Sequence, residues 1–95
     1  MITKERVIEE LETVYDPELE LDIYTLGLVY SIEIPSETAV KILMTYTTPA
    51  CPFGPALNHA ITYAMYDLGF KKIDIEVTFD PPWKPPENIR EMLGL

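Results

Sequence analysis

The sequence contains a single cysteine, a single histidine and only 7 basic residues among 95 positions. One cysteine excludes an internal disulfide framework and favours a reducing compartment. The 16 acidic residues give a net charge of −9 that would repel a phosphate backbone, which excludes nucleic acid as an expected partner. No apolar run reaches the roughly 20 residues of a transmembrane helix, and the charged N-terminus lacks a signal-peptide core. We therefore expect a cytoplasmic protein without a membrane partner.

The sequence nevertheless has enough apolar material for one small core. Hydrophobic residues make up 47% of the chain, too many for a disordered tail. Its length fits one domain, residues 1–95, near the small end of chains that fold alone. We expect either an efficient core or one that a second copy completes.

The N-terminal pattern predicts a helix followed by a packed connection. Thr3 is suited to cap the helix, and apolar residues recur at helical spacing as far as Val14. Pro17 is expected to end the helix, because the residue before a proline is kept out of the α region. The connection at residues 16–27 contains several apolar side chains, so we expect it to pack down, with a helical turn at about residues 22–26.

Three later segments alternate between apolar and polar residues, as half-buried strands do. These segments are residues 28–34, 39–47 and 72–80. A turn at residues 35–38 joins the first two strands. We expect Thr45 on the polar face of the second strand and Phe79 on the inward face of the third.

Between the second and third strands, residues 54–68 have the pattern of a helix. Pro55 suits its first position, and Gly69 suits the residue after its end. Its expected apolar stripe consists of Leu57, Ile61, Ala64 and Leu68. Tyr63 and Tyr66 flank this stripe and are expected to take part in packing rather than to stack on a cofactor.

Strands that are apolar on one face and helices with a single apolar stripe predict an α+β fold of two layers. The expected order is α-β-β-α-β with a short C-terminal helix at about residues 87–93, and both main helices cover one face of a three-stranded sheet. If the second and third strands are parallel, the helix between them makes a right-handed crossover and their C-terminal ends emerge at one sheet edge. A homodimer or another partner could cover the half-polar second face.

Cys51 lies between Pro49 and Pro52, where the strand pattern changes to a helical pattern. The prolines restrict the backbone, and the N-terminus of a helix favours a thiolate. A thiolate attacks electrophiles and binds soft metals. The alternative is that Cys51 is a small hydrophobic residue buried in a turn, and this stretch alone leaves both open.

Two further segments contain candidate functional residues. Asp16 and Glu18 offer oxygen ligands or a base near the thiol, and the less favoured alternative for Asp16 is that it caps a turn. Trp83, with Pro82, lies in a proline-rich arm and either anchors a partner or folds onto the sheet edge as a lid. His59 lies off the apolar stripe of its helix, so we expect it at the surface rather than on a metal.

Four motifs of this chain resemble, in family order, those of the SufT/PaaD family of iron–sulfur cluster assembly proteins. They are residues 14–19, 26–30, 44–45 with 47–52, and 79–83. The resemblance implies the α/β fold of the C-terminal domain of NifU-type scaffolds and a role in maturing or delivering iron–sulfur clusters. It also implies that Cys51 and Asp16 form the functional pair, with Glu18 and Thr48 in the same cofactor-binding set.

Iron–sulfur clusters are commonly held by four thiolates, more than a monomer with Cys51 alone supplies. We therefore expect no cluster bound stably by the monomer. A labile cluster or iron would instead be held together with a second copy, a client apo-protein or a small thiol. The protein would then be an assembly factor that works with iron–sulfur assembly proteins, rather than an enzyme.

Two other hypotheses remain open from the sequence. The protein could be a non-catalytic adaptor that docks through Trp83 and Pro82, such as an accessory subunit of a phenylacetyl-CoA oxygenase-type complex. It could also be a thiol enzyme or redox sensor, which needs a base near Cys51. His59 is poorly placed to be that base, so we rank this hypothesis last.

Overall fold

The computed structural model describes residues 2–16, 19–47, 54–87 and 91. Its elements, in chain order, are α1 (Lys4–Leu11), β1 (Val29–Ser36), β2 (Ala39–Met44), α2 (Gly54–Leu68) and β3 (Lys72–Val77). This order confirms the predicted α-β-β-α-β fold class. The predicted C-terminal helix lies mostly outside the described residues.

Helix α1 begins as predicted but ends earlier. The Thr3 side chain caps it by accepting a backbone hydrogen bond from the first turn, at 3.3 Å. The helix ends at Leu11, so the prediction that Pro17 ends it was wrong. The N–H and the hydroxyl of Thr13 both donate to the Glu10 carbonyl, at 3.0 and 2.6 Å. This tight turn replaces the helical bond pattern well before the proline.

The sheet has the strand order β1-β2-β3, with β1 antiparallel and β3 parallel to β2. Ile42 lies between Ile32 of β1 and Ile75 of β3, so the apolar residues of the three strands share one face. Strand β1 continues to Ser36, which makes the predicted turn at residues 35–38 too long. Pro35 is tolerated within β1 because this is an edge strand with an irregular register at that point.

The central strand alternates as predicted, but only within its true length. Val40, Ile42 and Met44 are buried on the face that the helices cover. Thr45, expected on the polar face, is fully buried, so that prediction was wrong. Strand β2 ends one residue earlier, and the Thr45 N–H donates to the Leu28 carbonyl at 2.8 Å. The connection before β1 therefore lies against this residue.

The connection between α1 and β1 packs into the core, as predicted. Ile23 and Leu26 are fully buried within it. The Leu26 N–H donates to the Asp22 carbonyl at 3.1 Å, and the Asp22 carboxylate accepts from the Thr25 N–H at 2.8 Å. These bonds form the predicted helical turn, with Asp22 as its cap.

Helix α2 has its predicted bounds and end signal, since Gly69 has a φ of 113°. Its buried side chains include the predicted Leu57, Ile61 and Ala64. Met65 is also fully buried, whereas Tyr63 and Tyr66 are 66% and 53% exposed, which contradicts their predicted packing. At about 100° per residue, both tyrosines lie on the far side of the helix from the stripe.

Strand β3 leads into the proline-rich arm, residues 80–86. The arm returns to the start of β1, where the Trp83 indole N–H donates to the Leu26 carbonyl at 2.7 Å. The Tyr30 hydroxyl donates to the Pro81 carbonyl at 2.8 Å. Trp83 is half-buried and packs against the core, which is the lid arrangement. Phe79 is 42% exposed rather than inward-facing, because β3 ends before it.

Substitutions at Met65 test whether this residue is part of the hydrophobic core. We expect Met65→Ala to lower the free energy of unfolding by about 2–5 kcal/mol, because it leaves a cavity. Met65→Leu conserves volume and should cost less than about 1.5 kcal/mol. The exposed control Tyr66→Ala should stay within about 0.5 kcal/mol of wild type in urea denaturation. Equal losses for the two alanine variants would contradict the burial of Met65.

Trp83 tests whether the arm is docked. Trp83→Phe keeps an aromatic ring but removes the N–H donor to Leu26, so we expect a loss of about 0.5–1.5 kcal/mol in the free energy of unfolding. Lys84→Ala, at an exposed position of the arm, is the control. Because Trp83 is the only tryptophan, its fluorescence reports on the arm directly. A fluorescence transition that precedes global unfolding would show that the arm is not held by this bond.

Candidate functional site

The segments that follow β2 and β3 begin at the same edge of the sheet. The two strands are parallel, and Met44 pairs with Val77 at their ends. The Thr78 N–H then donates to the Met44 carbonyl at 2.8 Å. Strand β1 is antiparallel, so its first residues also lie at this edge. The predicted meeting of the two strand ends is confirmed.

Hydrogen bonds within its own loop hold Asp16 in place. One carboxylate oxygen, Oδ1, accepts from the Leu19 N–H at 3.0 Å. The Asp16 N–H donates to the Leu21 carbonyl at 2.9 Å, and its carbonyl accepts from Glu20 at 2.8 Å. The side chain is only 1% exposed. One carboxylate oxygen of Asp16 therefore caps the turn, as one of its two sequence-based interpretations predicts.

A series of backbone hydrogen bonds connects the Asp16 loop to the sheet edge. The Ile23 N–H donates to the Val14 carbonyl at 2.9 Å, and the Leu28 N–H donates to the Ile23 carbonyl at 3.0 Å. The Leu28 carbonyl in turn accepts from Thr45, directly after β2. Trp83 binds the same connection at Leu26. The fold therefore couples the Asp16 loop, the end of β2 and the arm through direct bonds.

The remaining predicted site residues are only partly described. Cys51, Thr48 and Glu18 lie outside the described residues, so their predicted proximity to Asp16 stays a prediction. Pro82 is described and exposed. Thr47 and Gly54 are the described residues on either side of the segment that contains Cys51.

Tyr46 is a residue of this edge to which the sequence analysis gave no role. Its hydroxyl donates to the Asn58 side-chain carbonyl, Oδ1, at 3.0 Å. Its ring centroid lies 6.1 Å from that of Phe79, at an interplanar angle of 59°. Two sequence signals could have indicated this contact. They are Tyr46 itself, an aromatic residue shortly before Cys51, and Gly54 at the start of the next helix.

Asp16 is the one buried carboxylate among the described residues. His59 is exposed, with its ring 6.0 Å from that of Tyr63, in agreement with the predicted surface position. Across the described parts of the chain, no three His, Cys, Asp or Glu residues are grouped to hold a metal ion. Neither described helix is long and apolar enough to cross a membrane.

A cavity of about 210 Å³ lies elsewhere, between α1, β1 and Tyr24. Its lining residues include Lys4, Ile8 and Ile32. Val29 and Tyr30, which belong to the motif at residues 26–30, also line this cavity. The cavity therefore lies beside the start of β1, and the described candidates Asp16, Pro82 and Trp83 do not line it.

Comparison with known proteins agrees with the motifs. A family model described as iron–sulfur cluster assembly protein matches residues 4–79. The chain is 37% identical over 81 residues to the Fe-S protein maturation auxiliary factor YitW of Bacillus subtilis, covering 84% of this chain and 79% of the relative. It is 32% identical over 71 residues to the Fe-S protein maturation auxiliary factor SufT of Staphylococcus aureus, covering 74% of this chain and 81% of the relative.

The fold comparison gives the same result. The solved structure of a conserved hypothetical protein from Thermotoga maritima matches with a TM-score of 0.87 and 42% sequence identity. The match covers 99% of this chain and 96% of that chain. Sequence motifs, family model and fold agree over most of the length, and the chain belongs to the iron–sulfur cluster assembly protein family.

Proposed function

We propose that this protein is a maturation factor that carries or hands on iron–sulfur clusters to apo-protein clients, with Cys51 as the residue that binds the cargo. The observation that carries the proposal is the family match over residues 4–79, a range that includes Cys51 and Asp16. The relatives matched are maturation auxiliary factors by name. The parallel ends of β2 and β3 support a site at this edge, since open α/β sheets favour sites outside such ends.

The chemistry of one thiol favours transfer over storage. Clusters are held by thiolates, commonly four, and this chain contains one cysteine. A client, a second copy or a small thiol would supply the other ligands. Delivery is then a ligand exchange, in which a client thiolate replaces the Cys51 thiolate at iron. The client thiol loses a proton, the Cys51 sulfur can take one up, and no electron is transferred.

The acidic residues near the motif would have a supporting role in this proposal. The Asp16 carboxylate already binds the Leu19 backbone and is buried. Because a buried carboxylate committed to a cap is poorly available as a ligand, Asp16 would act by holding its loop against the sheet edge. Glu18 is then the carboxylate left to serve as an oxygen ligand or a base. We propose Thr48 as a neighbour of the same cargo site.

A non-catalytic adaptor is the second candidate, and the arm provides the observation that favours it. Pro81, Pro82 and Lys84 are exposed, while Trp83 holds the arm against Leu26. A docked, proline-rich arm is a preorganised surface, and preorganisation lowers the entropy lost on binding. The partners in both candidates are assembly proteins and client apo-proteins in the cytoplasm.

Cys51→Ala separates the two candidates. We expect anaerobic reconstitution of wild type with iron and sulfide to give a visible charge-transfer band, which Cys51→Ala loses because no thiolate remains. Client maturation and co-purified iron should both fall in Cys51→Ala. Trp83→Ala is the matched variant in the arm. If Cys51→Ala keeps client binding and maturation while Trp83→Ala abolishes both, the adaptor is correct and the carrier is wrong.

Asp16 can be tested with a pair of variants that differ in the hydrogen-bond acceptor. Asp16→Ala removes the acceptor for the Leu19 N–H, so we expect a loss of about 1–3 kcal/mol in the free energy of unfolding. Asp16→Asn keeps a carbonyl oxygen and should lose less. If Asp16 acts only through its cap, Asp16→Asn should mature clients at the wild-type rate. A folded Asp16→Asn protein that cannot mature clients would instead assign a direct role to the charge.

A further inference from the structure

The Tyr46 side chain contacts elements on both sides of the segment that contains Cys51. Tyr46 lies two residues after the end of β2, and its hydroxyl donates to Asn58 in α2 at 3.0 Å. Its ring also packs against Phe79, beyond the end of β3. One half-buried side chain thus joins the residues that follow two strands to the first turns of the helix between them.

Gly54, the first residue of α2, approaches this ring very closely. A Cβ added at Gly54 would lie 2.8 Å from Cζ of Tyr46 and 2.9 Å from its Cε2, distances that real Cβ atoms essentially never show. Gly54 is not among the glycines with positive φ, which are Gly27 and Gly69. The backbone therefore does not require glycine at this position, and glycine is a poor helix former compared with alanine. The approach of the Tyr46 ring is the feature that requires it.

We propose that Tyr46 is a positioning residue that fixes the two ends of the Cys51 connection, defined as residues 48–53. Thr47 follows Tyr46 directly, and Gly54 lies against its ring. Fixing both ends of a six-residue connection reduces the conformations open to it. Tyr46 thereby holds the residues that flank the Cys51 connection on both sides. The functional importance of this role rests on the proposed cargo site at Cys51.

Core packing alone does not account for these contacts. If position 46 only had to fill apolar space, a leucine would be sufficient. Neither a hydroxyl at position 46 nor a glycine at position 54 would then be needed. The Tyr46 contacts instead include a directional hydrogen bond and an approach to Gly54 so close that a Cβ at position 54 would displace the ring. If Tyr46 only added apolar burial, its replacement would change stability and leave the chemistry of Cys51 unchanged.

The first test measures alkylation of Cys51 by iodoacetamide against pH. In folded Tyr46→Leu, we expect the midpoint of the rate profile to move toward the free-cysteine value of about 8.5. The reason is that a thiol held less firmly samples several environments and behaves more like a free cysteine. A shift of about half a unit changes the rate near neutral pH about threefold. Tyr46→Phe isolates the hydroxyl. Tyr66→Leu, the same change at an exposed position of α2, should leave the profile unchanged, and circular dichroism verifies folding.

The second test combines Gly54→Ala with Tyr46→Leu. With Tyr46 present, the new Cβ displaces the ring, so Gly54→Ala should lower Tm and shift the alkylation profile. In the Tyr46→Leu background the space is free, and the same change should leave Tm equal or higher. An equal loss of Tm in both backgrounds, or an unchanged profile in folded Tyr46→Leu, overturns the proposal.

Client maturation separates this proposal from the one on which it rests. If Cys51→Ala matures clients normally while Tyr46→Leu shifts the alkylation profile, the cargo site is wrong and the positioning role stands. If Cys51→Ala abolishes maturation while the Tyr46→Leu profile matches wild type, the positioning role is wrong and the cargo site stands.

Discussion

The parallel pairing of β2 with β3 is the constraint on which the rest of the structure depends. Six residue pairs, from Ala39–Lys72 to Met44–Val77, align the two strands. Parallel neighbours need a long crossover, and α2 provides it by covering the apolar face of the sheet. The segment with Cys51 and the proline-rich arm must therefore both start at the same edge. The pairing of β2 with β3 thus sets where these two segments begin, and the Trp83–Leu26 and Tyr30–Pro81 hydrogen bonds join the arm to the motif at residues 26–30.

Hydrogen bonds to the backbone hold this edge together, although the chain carries a net charge of −9. Asp16, Tyr30 and Trp83 each bond to a main-chain group. The ion pairs found in the described parts of the chain join Arg6 to glutamates on the surface of α1, where such pairs contribute little. Main-chain groups keep their positions as long as the fold is intact. Main-chain bonds thus fix the Asp16 loop and the proline-rich arm.

The sequence predicted those features that depend on local periodicity. Alternation identified Val40, Ile42 and Met44 as core residues, and glycine chemistry identified the end of α2 at Gly69. The prediction for Thr45 failed, because alternation does not show where a strand ends or which loop covers that end. The strand order and the docking of Trp83 on Leu26 depend on contacts between distant residues, which no local pattern contains. Asp16 was predicted as a functional partner of Cys51, with a turn cap as the alternative, and its burial follows from the packed connection around it.

A cluster carrier has to satisfy two opposing physical requirements. Its thiol must be positioned well enough to bind cargo, and its ligand set must be incomplete enough to release it. In this chain the first requirement would be met by the scaffold, since Tyr46, Gly54 and Asn58 fix the residues on both sides of the Cys51 connection. The second would be met by composition, because one cysteine leaves most cluster ligands to a client or a second copy. The position of the thiol and the affinity for the cluster are then controlled by different residues, so a rigidly held thiol need not bind the cluster tightly.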